Sequence, residues 1–156
     1  MGTVSRLGLR VAFKGIPGDR SYLEIDAWMP SEVKAISPLV DWAMRLIEES
    51  RCVAGHEAAV ELALREALSN AIVHGNQLDT NKLVHIHCQC EWGKGASVIV
   101  TDDGQGFDPN AIPDPLAIER LAAERGRGIH LMKWAMDEVS FVRGGTEVRM
   151  WKGPSK

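Results

Sequence analysis

The alternation of hydrophobic and polar residues changes period several times along the chain, and each change marks a predicted element. A period of two, or a short apolar run, predicts strands at residues 22–28, 83–91, 96–101, 138–142 and 146–151. Apolar residues at helical spacing predict helices at residues 31–49, 57–73 and 128–136. This order predicts an α+β fold, a two-layer α/β sandwich whose mixed, mostly antiparallel sheet carries helices on one face.

Glycine and proline residues indicate where several of these elements begin and end. The first helix is either kinked by Pro38 or begins there with Ser37 as its N-cap, and Gly75 ends the second helix. Residues 103–127 contain three prolines and three glycines, which predicts a long mobile loop with a short helix at 116–123.

Length and composition favour a single compact domain, because 156 residues with 45% hydrophobic and 25% charged content suffice for one core. We expect an N-terminal arm or edge strand over residues 1–20, the domain over 21–152 and a tail at 153–156. The 18 Lys and Arg against 21 Asp and Glu give a net charge of −3. This charge provides no overall positive field for direct binding of nucleic acid.

The sequence also bears on cellular location. No run approaches the roughly 18 apolar residues needed to span a bilayer, and the N-terminus lacks the apolar core of a signal peptide. The three cysteines are an odd number, which disfavours a disulfide framework. We therefore expect a cytoplasmic protein that makes no contact with a membrane.

Two polar side chains lie four residues apart on the second predicted helix. Glu66 and Asn70 therefore share one flank of that helix, away from its apolar stripe. A Glu and an Asn on a helix usually lie on a solvated face, so the pair alone is a weak signal. Their spacing nevertheless allows both to act on one bound molecule.

Two glycine-containing segments are further candidates for a binding site. Asp102 ends an apolar strand and is followed by Gly104 and Gly106, which let a flat or charged ligand approach the backbone, although an Asx-type turn has the same residues. Gly126 and Gly128 lie at the predicted junction of the long loop and the third helix, where a helix N-terminus binds phosphate oxygens.

The segment from His85 to Cys90 contains residue types that bind metals. In a strand, however, Cys88 and Cys90 point to one face and His85 and His87 to the other, so they cannot share one ion without a bulge. We therefore interpret the cysteines as small core residues.

Taken together, these segments resemble the motifs of the GHKL ATPases, which carry the Bergerat nucleotide-binding fold. EALSNAIVHGN, residues 66–76, resembles the N box, DDGQGFDP the G1 box and GRGIHLM the G2 box. Gly144-Gly145-Thr146 resembles the Gly-Thr element that closes the pocket. All four occur in the order and spacing of the family over residues 31–152, and they imply the histidine-kinase-like ATPase fold.

Within that superfamily the chain most resembles the stand-alone serine/threonine kinases of bacterial partner-switching systems, the anti-sigma factors. The resemblance lies in the size of the chain and in its C-terminal sequence GRGIHLMKWAMDEVSFVRGGTEVRMWK. It implies an ATP-dependent kinase that phosphorylates an anti-sigma-factor antagonist protein. A sigma factor as a further partner and a homodimer are expected from the same kinship.

The resemblance also implies roles for individual residues. Asn70 would coordinate Mg²⁺ on the triphosphate of ATP, and Glu66 would be the general base for an incoming serine hydroxyl. Asp102 would hold the adenine amino group. The remaining site residues would be Gly104 and Gly106 beside the base, Gly126 and Gly128 at the phosphates, and Thr146 nearby.

The alternative function is a non-catalytic ATP-binding regulatory module whose nucleotide state sets the choice of partner. Glu66 distinguishes the two hypotheses, because a pure sensor of nucleotide does not need a general base. The presence of Glu66 therefore favours catalysis.

Overall fold

The computed structural model describes residues 8–13, 22–108 and 120–155, with side chains described for 22–108 and 126–155. Its strands are β1 (Gly8–Phe13), β2 (Tyr22–Pro30), β3 (Leu83–Glu91), β4 (Gly95–Asp102), β5 (Glu138–Val142) and β6 (Glu147–Lys152). Its helices are α1 (Ile36–Ser50), α2 (Glu57–Ser69) and α3 (Arg120–Ala135), with a π-helix at Asn70–Gly75 and 3₁₀ turns at Val33–Ala35 and Arg143–Gly145.

The strands form one six-stranded sheet in the order β1-β2-β3-β4-β6-β5. All five pairings are antiparallel, so the expectation of a partly mixed sheet is wrong for the described strands. The physical reason is the position of β6 in the sheet. Strands β4 and β5 run in the same direction, but the chain turns back after β5 and inserts β6 between them. The two parallel strands are therefore never neighbours.

The helices pack on one face of this sheet. Alternate residues of β2 and β3 are buried beneath them, while the intervening residues are half-buried or exposed on the opposite face. Ile25 and Ile86 from the sheet join Ile47 of α1 and Leu64 of α2 in a single core. Each such fully buried side chain stabilises the fold by about 1.5–3 kcal/mol. The predicted α+β fold with two layers is confirmed.

Near the N-terminus, β1 agrees with the sequence-based expectation, whereas the start of α1 differs from it. Strand β1 pairs with β2 at the edge of the sheet, as expected for residues 1–20; the rest of that segment lies outside the described residues. Helix α1 begins at Ile36 and includes Pro38 in its first turn, so Ser37 is not its N-cap and the proline produces no break. Proline is tolerated there because the first N–H groups of a helix have no intrahelical acceptor.

Helix α3 is longer at its N-terminus than the sequence predicts. Helix α3 begins at Arg120, inside the segment 103–127 that was expected to be a loop, and residues 109–119 lie outside the described residues. Of the short helix expected at 116–123, residues 120–123 belong to α3 and the others lie outside the described residues. Residues 121–125, LAAER, favour helix strongly enough to carry it across the following glycines.

Among the helices in the described part of the chain, none combines the length and the apolar character that crossing a membrane requires.

The pKa of Glu147, at the start of β6, links stability to pH. Its side chain is only 6% exposed. Burial raises the pKa of Glu147, but hydrogen bonds from Arg149 (Nε to Oε2, 2.8 Å) and Thr101 (Oγ1 to Oε1, 3.0 Å) outweigh it, and the pKa lies below its ordinary value. The folded state therefore favours the ionised carboxylate.

We expect Glu147→Gln to lower the free energy of unfolding by about 1–3 kcal/mol at neutral pH. A lowered pKa means that this contribution is complete above the unfolded value of 4.5 and is lost as the pH falls through the folded value. The difference between the variant and the wild type should therefore shrink in acid, which urea denaturation at several pH values measures. Glu138→Gln, at an exposed site on β5, is the control; a pH-independent difference would contradict the prediction.

Candidate functional site

A largely apolar pocket lies between the helical layer and the β4–β6 end of the sheet. Its apolar walls combine with an amide, a carboxylate and a hydroxyl, a composition that suits a flat heteroaromatic ligand held by a few polar groups. The lining residues are Ala67, Asn70, Ala71, Val100, Asp102, Phe107, Met132, Phe141, Gly145, Thr146 and Val148.

A second cleft adjoins this pocket on the other side of Asn70, which lines both. The second cleft separates α2 and the π-helix from α3, and it is more polar than the first. Its lining residues are Glu66, Ser69, Asn70, Val73, His74, Arg127, Gly128 and Leu131. The two cavities therefore meet at one amide side chain.

The side chains of Glu66 and Asn70 converge on Gly128 of α3. A methyl group at Gly128 would lie 2.9 Å from Glu66 Oε2 and 3.4 Å from Asn70 Nδ2. Their spacing along the helix thus brings the carboxylate and the amide to one place, as the sequence predicts. Among the described side chains, Asn70 Nδ2 is a buried nitrogen without a hydrogen-bond partner in the protein. A polar atom in that situation suits contact with a bound ligand.

The helix changes its geometry at Asn70. The sequence predicts a continuous α-helix to residue 73, but α2 ends at Ser69 and residues 70–75 form a π-helix. The N–H of Asn76 accordingly donates to the carbonyl of Ala71, five residues earlier, at 2.8 Å. Such π segments are rare and occur frequently at functional sites.

The end of the π-helix packs directly against the end of β4. A methyl group on Gly75 would lie 2.4 Å from Asp102 Oδ2, and one on Gly104 would lie 2.0 Å from the Gly75 carbonyl oxygen. The N–H of Gly104 donates to Asp102 Oδ1 at 2.8 Å, which fixes the rotation of that carboxylate. A side chain at either position would clash, so glycine is needed at both. The close packing of these two glycines lets the Asp102 carboxylate line the pocket.

A second glycine contact holds the turn between β5 and β6. Gly106 has a φ of +78°, and a methyl group there would lie 2.0 Å from the Gly144 carbonyl oxygen. The N–H of Phe107 donates to that same oxygen at 2.9 Å. The carbonyl of Thr146 accepts from the N–H of Asp102 at 2.9 Å, so the structure brings Thr146 and Asp102 together.

A family model of the histidine kinase-like ATPase domain matches residues 29–152, which is most of the chain. The chain belongs to the histidine kinase-like ATPase family. Membership of this family implies that the chain binds ATP. Many of the residues that line the two cavities come from the segments that resemble its N box, G1 box, G2 box and Gly-Thr element.

Curated relatives of this histidine kinase-like ATPase include several anti-sigma F factors. The protein of that name from Clostridium novyi (strain NT) is 36% identical over 98 residues, which are 60% of this chain and 68% of the relative. The one from Geobacillus kaustophilus (strain HTA426) is 35% identical over 102 residues, 62% of this chain and 69% of the relative. The one from Halalkalibacterium halodurans is 33% identical over 85 residues, and the match spans 58% of its length.

The G2-like glycines of this ATPase do not lie where the sequence predicts. Gly126 and Gly128 were expected at the N-terminus of a helix, but both are buried inside α3, which begins at Arg120. Their backbone N–H groups therefore do not form a helix N-terminus here, since the preceding residues continue the helix. Gly128 instead allows α3 to approach Glu66 and Asn70.

Gly104 and Gly106 make close backbone contacts that the sequence analysis did not predict. Both were expected to make space for a base, whereas the atoms closest to them belong to the protein backbone. They let the turn after β4 pack against Gly75 on one side and Gly144 on the other. Contact of either glycine with a nucleotide stays a prediction.

The apolar walls of the pocket were missed by sequence reasoning. The rings of Phe107 and Phe141 meet edge to face with centroids 5.3 Å apart, and Met132 of α3 is fully buried beside them. The available signal was the position of Phe107 directly after the second glycine of the G1-like segment. The apolar lining residues other than Phe107 come from six separate elements, which only the fold brings together.

The metal-like segment of β3 has the predicted orientation. Cys88 and Cys90 are fully buried, while His85 and His87 are half-buried on the opposite face of the sheet. Burial, with a smaller effect of nearby Cys52, raises the pKa of the Cys88 thiol to about 12. These thiols therefore stay protonated and pack as core residues.

Proposed function

We propose that this histidine kinase-like ATPase is an Mg-ATP-dependent protein serine/threonine kinase of a bacterial partner-switching system. In this proposal it is an anti-sigma factor that phosphorylates an anti-sigma-factor antagonist and also binds a sigma factor. The names of its relatives support that assignment. The homodimer and the cytoplasmic location expected from kinship and composition belong to the same proposal.

The observation that carries the proposal is the meeting of Glu66 and Asn70 where the two cavities join. The base of ATP would bind at the apolar pocket, where the Asp102 carboxylate would accept a hydrogen bond from the adenine amino group. Asn70, whose amide lies between the cavities, would contact the triphosphate. The further binding residues in this proposal are Gly104, Gly106, Gly126, Gly128 and Thr146.

The donor set at Asn70 also suits Mg²⁺, because an amide oxygen is a hard ligand that can share the ion with phosphate and water oxygens. When bound, the ion would neutralise charge on the triphosphate. Asn70 would hold it, and the buried amide nitrogen without a protein partner is consistent with a ligand at this point.

In this proposal Glu66 acts on the protein substrate. Its carboxylate faces the second cleft, where a serine or threonine hydroxyl can approach from outside. The hydroxyl oxygen forms a bond to the γ-phosphorus while the bond from that phosphorus to the β-phosphate bridging oxygen breaks and ADP leaves. Glu66 accepts the hydroxyl proton in that step.

Incubation with radiolabelled ATP, Mg²⁺ and purified candidate antagonists encoded beside this gene tests the proposal. We expect label on a serine or threonine of one antagonist and none when Mg²⁺ is removed by EDTA. Tight ATP binding without any phosphoprotein would instead favour the non-catalytic regulatory module. Absence of heat on titration with ATP or ADP in the presence of Mg²⁺ would overturn both functions.

A further inference from the structure

Asn76 is a fully buried polar residue that has no assigned role in the proposed reaction. It directly follows the π-helix and lies outside both cavities. Its side-chain nitrogen donates to Ser31 Oγ at 2.6 Å and to the Leu83 carbonyl at 3.0 Å, and its side-chain oxygen accepts from the N–H of Asp103 at 2.8 Å. A buried amide with all these partners is costly to disturb.

These hydrogen bonds join four parts of the chain. Ser31 follows β2, Leu83 begins β3, Asp103 follows β4, and Asn76 itself ends the helical segment that carries Asn70. The carboxylate of Asp103 closes the same network, because its Oδ2 accepts from the N–H of Leu83 at 3.1 Å. The network fixes the position of the peptide that follows Asp102.

We propose that Asn76 is a positioning residue for recognition of the purine base. This inference rests on the proposed binding of ATP, with Asp102 holding the adenine amino group. Asn76 acts through the Asp103 N–H: it holds the backbone beside Asp102 while Gly75, its neighbour in sequence, contacts the Asp102 carboxylate. Two consecutive residues, Gly75 and Asn76, therefore fix the orientation of the Asp102 carboxylate.

The expected consequence is selective for the base. Adenine presents an amino group to Asp102, whereas hypoxanthine presents an oxygen at the same position and cannot donate. A well-fixed carboxylate discriminates between the two strongly, because the wrong base leaves an unpaired charged acceptor. If the peptide that follows Asp102 is not held in place, the Asp102 carboxylate can shift. It then discriminates less between adenine and hypoxanthine.

Calorimetric titration with ADP and with inosine diphosphate, each with Mg²⁺, measures this discrimination. We expect the wild type to bind ADP at least about tenfold more tightly than inosine diphosphate. In Asn76→Ala this ratio should fall to about threefold or less, with most of the change in the affinity for ADP. Ser31→Ala is the matched control, because it removes another partner of Asn76 and leaves the bond to Asp103.

A purely structural role would lower the melting temperature in both variants without changing the ratio of affinities. Should Asn76→Ala be unfolded at the temperature of the titration, Asn76→Ser replaces it, since its hydroxyl is too short to reach the Asp103 N–H. A folded variant at residue 76 that keeps the wild-type ratio would overturn the inference. Failure of the wild type to bind either nucleotide would instead overturn the proposed function.

Discussion

Asp102→Asn is expected to weaken binding of ATP by about 10- to 100-fold, the usual effect of losing a hydrogen bond to a charged group. The N–H of Gly104 already donates to one oxygen of this carboxylate. If the Asn oxygen keeps that bond, its NH₂ group faces the adenine amino group, and two donors oppose each other. Calorimetric titration with Mg-ATP measures the loss.

Asp41→Asn is the matched control for that variant. It makes the same chemical change at an exposed side chain of α1, which pairs with Arg65 at 3.2 Å and lines neither cavity. The control should bind ATP with nearly the wild-type affinity. Equal affinities of Asp102→Asn and wild type for ATP would show that this carboxylate does not recognise the base.

Glu66→Gln is expected to lower phosphoryl transfer by about 100-fold or more while leaving ATP binding nearly unchanged. Glutamine keeps the size and the hydrogen-bonding reach of the side chain against Gly128, but it cannot accept the hydroxyl proton. Single-turnover transfer from Mg-ATP to the antagonist protein measures the rate, and calorimetry on the same sample measures the affinity.

Glu61→Gln on the same helix controls for loss of a carboxylate from α2. Glu61 pairs with Arg65 at 3.0 Å on the surface, away from the two cavities. We expect transfer by this control at the wild-type rate. A parallel loss of ATP affinity in Glu66→Gln and Asp102→Asn would contradict the division of roles between the two carboxylates.

The sequence predicts much of the fold because most of the elements have strong local signals. The alternation in β2 and β3 and the apolar stripes of α1 and α2 are properties of short segments, and the structure confirms them. The wholly antiparallel pairing of the described strands was not predictable in this way. It depends on the insertion of β6 between β4 and β5, which is a property of the whole chain.

The candidate site shows the same division between local and distant effects. The convergence of Glu66 and Asn70 follows from helical spacing, so the sequence alone suffices to predict it. The placement of Gly126 and Gly128 cannot be predicted in this way. Glycine is unfavourable inside a helix, and the preceding residues together with the packing of α3 on α2 keep these two glycines helical. The buried network of Asn76 joins residues up to 45 positions apart and has no local signal.

The π-helix constrains how the length of this chain can vary. A π turn contains more residues than an α turn, so deletion of a single residue between 70 and 75 would allow an ordinary α-helix to form there. Such a deletion removes the extra residue of the π turn, so the residues that follow can keep their orientation. A difference of one residue in length is therefore accommodated more easily between residues 70 and 75 than within α2, where it would rotate every later residue of the helix by about 100° around the axis.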